Sequence, residues 1–262
     1  GNTKKATRDL QKLLALYPED YQAYNLLGAI FDESGHDQKA LEYYLASTSV
    51  NAAYDTGWFN LSILALDDLY DPDTAYYYIK KALTINPEDP DYYYREALIL
   101  EELEEYDRAL HAVNRALTLD SLDPYYWFEL GWLHDIKENG DSALYGFEKA
   151  LAITDTIFDF RTNRIRALLL LERLQEAGEA LQKELKERPD DSFLMYLQAR
   201  LFNETGEYEE SLRLYNIILE KEDSDPQYFL ERGDVLFQLG RVGQALKDLR
   251  MACELDQEND YN

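Results

Sequence analysis

The chain of 262 residues carries 26 lysines and arginines against 52 aspartates and glutamates, so its formal net charge at pH 7 is −26. This charge excludes nucleic acids and anionic membrane surfaces as partners, because both are bound through clustered basic side chains. Apolar residues make up 46% of the chain, which supports a buried core and excludes a disordered acidic tail.

Cysteine content and hydropathy exclude further classes of protein. The single cysteine, Cys253, excludes an intramolecular disulfide and any zinc site built from several cysteines. No apolar run approaches the ~20 residues of a membrane-spanning helix, so we expect a soluble protein without membrane insertion. The compartment stays open between the cytoplasm and an extracytoplasmic space, since the chain begins with Gly1 and a leader removed beforehand is an alternative.

Internal repetition dominates the sequence. Small side chains recur every 34 residues, with one interval of 35, at Ala6, Ala40, Ala75, Ala109, Ala143, Ala177, Ser211 and Ala245. A bulky apolar residue follows four positions later, and in most copies a small residue follows after three more. Offsets of 0, 4 and 7 share one face of an α-helix. Residues 1–20 therefore predict one such helix, and every later period ends with another.

The first half of each period predicts a second kind of helix, which begins near Tyr21 in the first copy. An aromatic residue is followed three positions later by leucine in several copies, as in Tyr24, Trp58 and Trp127. Aspartate precedes this helix in most copies, and proline follows the aspartate at Pro90, Pro124 and Pro226, which is typical of a helix start. Three glycines that separate the two helices predict left-handed turns, at Gly35, Gly206 and Gly240.

The pattern resembles the tetratricopeptide repeat, whose signature is an aromatic residue, Leu-Gly, a turn, then alanine, an aromatic residue, alanine and proline. The first copy matches it with Tyr24, Leu27, Gly28, Ala40 and Tyr44. The resemblance implies an all-α, right-handed superhelical solenoid of antiparallel helix pairs, with the first helices lining its concave groove. We expect one domain, 1–262, with a half-repeat 1–20 and repeats 21–54, 55–89, 90–123, 124–157, 158–191, 192–225 and 226–259.

The fifth copy departs most from the signature. Arg161, Arg164 and Ile165 replace the aromatic residue, the leucine and the glycine, and Glu184 stands where most copies have a small residue. The spacing of the copy is nevertheless preserved up to Pro189, so we still expect a helix pair there.

No motif of an enzyme, a nucleotide site or a calcium-binding loop is present, so we expect a non-catalytic protein without cofactor or metal. Of the three histidines, His134 falls on a core-facing position, which favours a half-buried neutral imidazole over a metal ligand. Two acidic segments, 86–91 and 222–225, fall where helix caps belong, and capping is the simpler role for them.

Binding residues are expected in the first helices, where the family's groove-facing positions lie. There, aromatic residues and arginine are typical of interface hot spots, and asparagine can bond the backbone of an extended peptide. The candidate ligand-binding residues are Phe59, Asn60, Tyr94, Arg95, Phe128, Trp132, Asn163, Arg166, Tyr196 and Arg200.

Arg166 and Arg200 occupy equivalent positions in adjacent repeats. Two guanidinium groups side by side favour an acidic ligand or a C-terminal carboxylate, and Trp132 could stack on Arg166. The alternative is structural, with Arg200 paired to Asp234 and Arg95 paired to Glu129. The clamp that some relatives use on chaperone C-termini is excluded, since only Asn60 and Arg95 match its residues.

These observations predict an interaction scaffold that holds a peptide or protein segment in its groove. The alternatives are self-assembly through uncapped terminal repeats, which apolar residues at both ends favour, and an accessory domain of a larger protein.

Overall fold

Helices alternate with short turns throughout the computed structural model, which describes residues 2–221 and 224–259. In these residues there are fifteen helices and no strand. A single helix, α1 (Asn2–Leu16), comes first. The first helices of the following pairs are α2 (Tyr21–Asp32), α4 (Asp55–Asp67), α6 (Pro90–Glu102), α8 (Pro124–Ile136), α10 (Phe158–Leu170), α12 (Ser192–Glu204) and α14 (Pro226–Gln238). The second helices are α3 (Asp37–Val50), α5 (Pro72–Ile85), α7 (Tyr106–Leu119), α9 (Gly140–Ile153), α11 (Leu174–Glu187), α13 (Tyr208–Lys221) and α15 (Val242–Asn259).

The chain forms two units, unit 1 (Gly1–Lys137) and unit 2 (Glu138–Asn262). Within each unit, consecutive helices pack in series, so the expected fold class, an all-α solenoid of helix pairs, is confirmed. The boundaries of the repeats and the single domain stay a prediction.

The predicted helix starts are confirmed. The side chain of Asp20 accepts a hydrogen bond from the backbone N–H of Ala23, and Asp89, Asp123 and Asp225 cap the helices that begin with proline. In the acidic segment 222–225, Asp225 is therefore a cap, whereas Glu222 and Asp223 lie outside the described residues.

Left-handed residues join the paired helices. Gly35, Gly206 and Gly240 have positive φ as predicted, and so do Tyr70, Glu104, Glu138 and Glu172 at the corresponding turns of the other pairs. The turn geometry is therefore imposed by the packing of the helices even where no glycine is present.

The periodic small residues form the contacts between helices. All of them from Ala40 to Ala245 are buried, with exposures of 2% or less, so the interpretation of the 34-residue period is confirmed for these seven. Ala6 is exposed, because α1 packs only against α2 among the described helices. His134 is half-buried on α8 as predicted, and burial lowers the pKa of its imidazole.

Candidate functional site

The first helices line the inner side of each unit. In unit 1, α2 contacts α4 and α4 contacts α6, and in unit 2, α10 contacts α12, whereas successive second helices show no contact of that extent among the described residues. Elements that lie closest together mark the inside of a curved array. The groove-facing positions expected from the sequence are occupied in unit 1 by Asn25, Leu26, Ala29, Phe59, Asn60, Ile63, Tyr94, Arg95, Leu98, Phe128, Glu129 and Trp132, which we call the inner face of unit 1. In unit 2 they are occupied by Thr162, Asn163, Arg166, Tyr196, Leu197, Arg200, Leu230, Glu231 and Asp234, which we call the inner face of unit 2.

Aromatic rings form pairs along the inner face of unit 1. The ring centroid of Phe59 lies 4.8 Å from that of Tyr92, and the centroid of Tyr94 lies 5.2 Å from that of Tyr126. Phe59, Tyr94 and Phe128 are half-buried, so each keeps part of its ring accessible. The pairs hold these rings in fixed orientations, which lowers the entropic cost of binding a ligand against them.

The two polar candidates of unit 1 bond within the protein. The side-chain amide of Asn60 donates to Oδ1 of Asn25 at 3.0 Å. Arg95 is 8% exposed and donates to both carboxylate oxygens of Asp67, at 2.9 and 3.2 Å, and to the carbonyl oxygen of Ile63. The expected pairing of Arg95 with Glu129 is therefore wrong. Arg95 pairs instead with Asp67, the last residue of α4.

A pair of carboxyl groups lies between α6 and α8. Trp132 donates its indole N–H to Glu101, and Glu129, which is 4% exposed, lies beside Glu101. Burial, and then the negative charge of Glu101, raises the pKa of Glu129 to about 9. Glu129 is thus protonated at neutral pH, and the inner face of unit 1 presents aromatic rings and carboxyl groups.

The inner face of unit 2 has a different chemistry. Asn163 is buried and donates its side-chain amide to the backbone oxygen of Asp159 at 2.8 Å. Tyr196 is also buried, and its hydroxyl donates to Oε1 of Glu231 at 2.9 Å. Arg166 and Arg200 lie on the contacting helices α10 and α12, and both remain partly exposed.

Arg200 pairs with Glu231. The expected pairing of Arg200 with Asp234 is therefore wrong. The distance from Nε of Arg200 to Oε2 of Glu231 is 3.7 Å, and the guanidinium carbon lies 5.9 Å from the centre of the Tyr196 ring. Asp234 instead accepts a hydrogen bond from Asn203. The stacking of Trp132 on Arg166 stays a prediction.

Two important residues did not stand out in the sequence, namely Glu129 and Glu231. Both occupy the sixth position of a first helix, where the sequence places one carboxylate in each unit. The sequence indicates the position of these two residues in their repeats. Their partners lie on other helices, and the sequence does not indicate which residues these are. No group of three or more metal-ligating side chains occurs among the described residues, and none of the described helices meets the length and apolarity that crossing a membrane requires.

Comparisons with known proteins agree with this architecture. The family model described as "Tetratricopeptide repeat" matches residues 1–57, 94–156 and 196–260, which together are more than half of the chain. None of the curated proteins compared with the sequence matches it significantly.

Solved structures show the same fold. A tetratricopeptide repeat protein from Parabacteroides merdae has a TM-score of 0.74 and 17% identity, over 90% of this chain and 93% of its own. The pilF protein of Pseudomonas aeruginosa has a TM-score of 0.69 and 16% identity, over 84% and 97%. The Cut9–Hcn1 hetero-tetramer of the APC/C has a TM-score of 0.70 and 15% identity, over 89% and 46%. By its matched segments and its fold, the chain belongs to the tetratricopeptide repeat family.

Proposed function

We propose that this protein is a non-catalytic scaffold of seven repeats, with the boundaries given above, that binds a peptide or protein segment along the inner faces of its first helices. Members of the family serve in general as protein-interaction scaffolds. The observation that carries the proposal is the placement of Arg166 and Arg200 at equivalent positions of two contacting helices. Paired guanidinium groups are suited to a carboxylate, so the ligand we propose has acidic side chains or a free C-terminus.

The bonding of Glu231 supports this ligand. Its two carboxylate oxygens already accept hydrogen bonds from the hydroxyls of Tyr196 and Tyr215 and from the amide of Gln227, at 2.5 to 2.9 Å. Arg200 Nε, at 3.7 Å, is attracted by the charge of Glu231 but lies beyond hydrogen-bond distance. A carboxylate of the ligand can therefore approach this guanidinium more closely than its present partner does.

The inner face of unit 1 offers apolar contacts of its own to a peptide or protein segment. Phe59, Tyr94, Phe128 and Trp132 offer half-buried rings to the ligand's side chains, the residue types that dominate binding energy at interfaces. Asn60 and Arg95 belong to the same surface, and their bonds to other first helices hold it in shape.

The test is a library of random ten-residue peptides, one copy with free C-termini and one with amidated C-termini. We expect selection of peptides with free or acidic C-termini, and a loss of binding of about tenfold or more in Arg200→Glu, because the variant places a carboxylate against the ligand's own. Phe128→Ala should weaken peptides that bind the inner face of unit 1 by a similar factor.

Arg213→Glu is the matched control. Arg213 carries the same charge, is exposed, and pairs with Glu210 on the second helix α13, away from the inner face. Equal retention of every peptide by Arg200→Glu and Arg213→Glu, or equal selection from the two libraries, would contradict the proposal.

A second candidate function, self-association, is favoured by one apolar surface. Leu10 and Leu13 of α1 and Leu26, Ala29 and Ile30 of α2 line a cavity of about 610 Å³ in unit 1. A second copy that covers it would bury this apolar area. Light scattering across protein concentrations tests self-association. A molecular mass that stays monomeric at all concentrations excludes it. If a dimer forms, Leu13→Asp should abolish it.

A further inference from the structure

Three aromatic residues at the fourth position of first helices share one kind of hydrogen bond. Each donates to the backbone oxygen six residues before it: Trp58 to Ala52 at 3.0 Å, Tyr93 to Pro87 at 3.1 Å and Trp127 to Ser121 at 2.9 Å. Arg161 makes the equivalent bond, from Nη1 to the oxygen of Asp155 at 2.6 Å. The fifth repeat therefore keeps the bond that locks its turn while it loses the aromatic ring.

The lost ring is replaced by ion pairs. Nε of Arg161 lies 2.9 Å from Oε1 of Glu184, a residue that stands where other copies have Ala82, Ala116 and Ala150. Arg164 takes the place of a leucine, and its Nε lies 3.6 Å from Glu148 of α9. The helices α10 and α11 contact each other less than the other pairs that lie within one unit.

This substitution leaves an open cleft in unit 2, which we call the fifth-repeat cleft. It has a volume of about 600 Å³, its floor is the outer side of α10, and its walls are α9 and α11. It is lined by Glu148, Leu151, Ala152, Asp155, Arg161, Arg164, Ile165, Glu176, Glu179, Ala180, Lys183 and Glu184. On α10, the residues of the cleft point away from Asn163 and Arg166, so the cleft is separate from the inner face of unit 2.

The charges of the cleft select a cationic ligand. Its lining has five carboxylates against three basic side chains. Arg161 and Arg164 pair with Glu184 and Glu148, and Glu176 pairs with Arg173, so Asp155 and Glu179 are left to attract a cationic ligand against the single charge of Lys183. Glu148, Asp155 and Glu179 are exposed on its rim, while Leu151, Ala152 and Ala180 supply an apolar patch between the walls. The net charge of −26 adds a long-range attraction for basic segments.

We propose that the fifth-repeat cleft binds a basic peptide segment of a partner protein, in which an aliphatic side chain enters over Leu151 and Ala180 and flanking lysines or arginines contact Asp155 and Glu179. The segment replaces the missing aromatic wedge and so packs α9 against α11 through a ligand. This site is independent of the inner-face proposal, because it lies on the other side of α10 and takes the opposite charge.

The probe is a panel of fluorescein-labelled, amidated octapeptides in which lysine or arginine flanks a pair of leucine, isoleucine or valine residues. We expect fluorescence anisotropy to show binding that weakens as salt rises, and no binding of the same peptides with glutamate in the basic positions. Tighter binding of the glutamate panel, or no binding of any basic peptide, would overturn the proposal.

The decisive variant restores the residues of the other copies. Arg161→Trp with Glu184→Ala recreates the pair found at Trp58 and Ala82, so the indole fills the cleft and donates to the same backbone oxygen. We expect an unchanged or higher melting temperature and a loss of peptide affinity of about tenfold or more. Undiminished affinity in this variant would place the peptide elsewhere and refute the site.

A charge-matched pair of variants gives a second test that depends less on packing. Glu179→Lys and Glu187→Lys change the same charge on exposed positions of α11, but only Glu179 lines the cleft. We expect about a three- to fivefold loss of affinity for Glu179→Lys and less than about twofold for Glu187→Lys, as for exposed ion pairs. Equal effects would mean that the peptide responds only to total charge and would also overturn the proposal.

Discussion

Glu129 of unit 1 and Glu231 of unit 2 are glutamates at the same position of two repeats, yet the groups that surround their carboxylates differ in kind. Glu231 accepts hydrogen bonds from the hydroxyls of Tyr196 and Tyr215 and lies near Arg200. Glu129 lies beside another carboxyl group, Glu101, and its Oε1 has no hydrogen-bond partner among the described residues. The position in a repeat therefore determines where a side chain points, while the neighbouring helices determine its chemistry.

The glycines at the eighth position differ in the same way. A Cβ atom at Gly28 of unit 1 would lie 2.4 Å from Cδ1 of Tyr44, whereas a Cβ at Gly233 of unit 2 would find its nearest neighbours at 3.5 Å. Tyr44 is buried and its hydroxyl donates to Asp32 at 3.0 Å, so its ring cannot easily move away. One glycine is thus required by packing, and the other is not.

The largest effect is expected for Glu231→Ala. The variant leaves the buried hydroxyls of Tyr196 and Tyr215 without their acceptor, which should lower the free energy of unfolding by about 3 kcal/mol. Urea unfolding measures this change. Glu231→Gln keeps an acceptor oxygen and should cost clearly less, and an equal loss in both variants would mean that the hydrogen bonds are not the cause.

The two glycines give the next prediction. Gly28→Ala should lower the free energy of unfolding by about 2 kcal/mol, because the new methyl group overlaps the Tyr44 ring. Gly233→Ala should raise it by about 0.5 kcal/mol, since alanine favours the helix and finds room. Thermal unfolding of the two variants would contradict the comparison if both shifted the melting temperature in the same direction.

The effect of pH accumulates gradually and is smaller, for each pH unit, than the effect of Gly28→Ala. Because the pKa of Glu129 is raised to about 9 in the folded protein, its contribution to stability is full below the pKa of an exposed glutamate and is lost progressively until the pH has risen through 9. Glu129→Gln removes this dependence, so its stability relative to the natural protein should increase by about 1.4 kcal/mol per pH unit between pH 6 and pH 8.

Glu102→Gln is the control for the pH prediction, since Glu102 is exposed on the same helix as Glu101. Unfolding free energies measured across this pH range should diverge from the natural protein only for Glu129→Gln. A constant difference between Glu129→Gln and the natural protein would show that the folded and unfolded proteins bind the same number of protons at Glu129, so that its pKa is not raised by folding.

Much of the fold could be predicted from local signals. The offsets of 0, 4 and 7 between small and bulky residues, the Asp-Pro helix starts at Pro90 and Pro124, and the glycine at Gly35 each act within a few residues of chain. The left-handed turns at Glu104 and Glu172 carry no such signal, because the packing of two helices imposes the conformation on an ordinary side chain.

The same distinction between local sequence signals and tertiary packing applies to the candidate site. The sequence alone determined the family and the helix pairs, because helical periodicity is a property of consecutive residues. Only the tertiary structure decided that Arg95 bonds Asp67, that Arg200 lies near Glu231 and that the fifth repeat opens a cleft. Long charged side chains reach partners some thirty residues away in the chain, and several carboxylates stand within reach of each, so packing makes the choice.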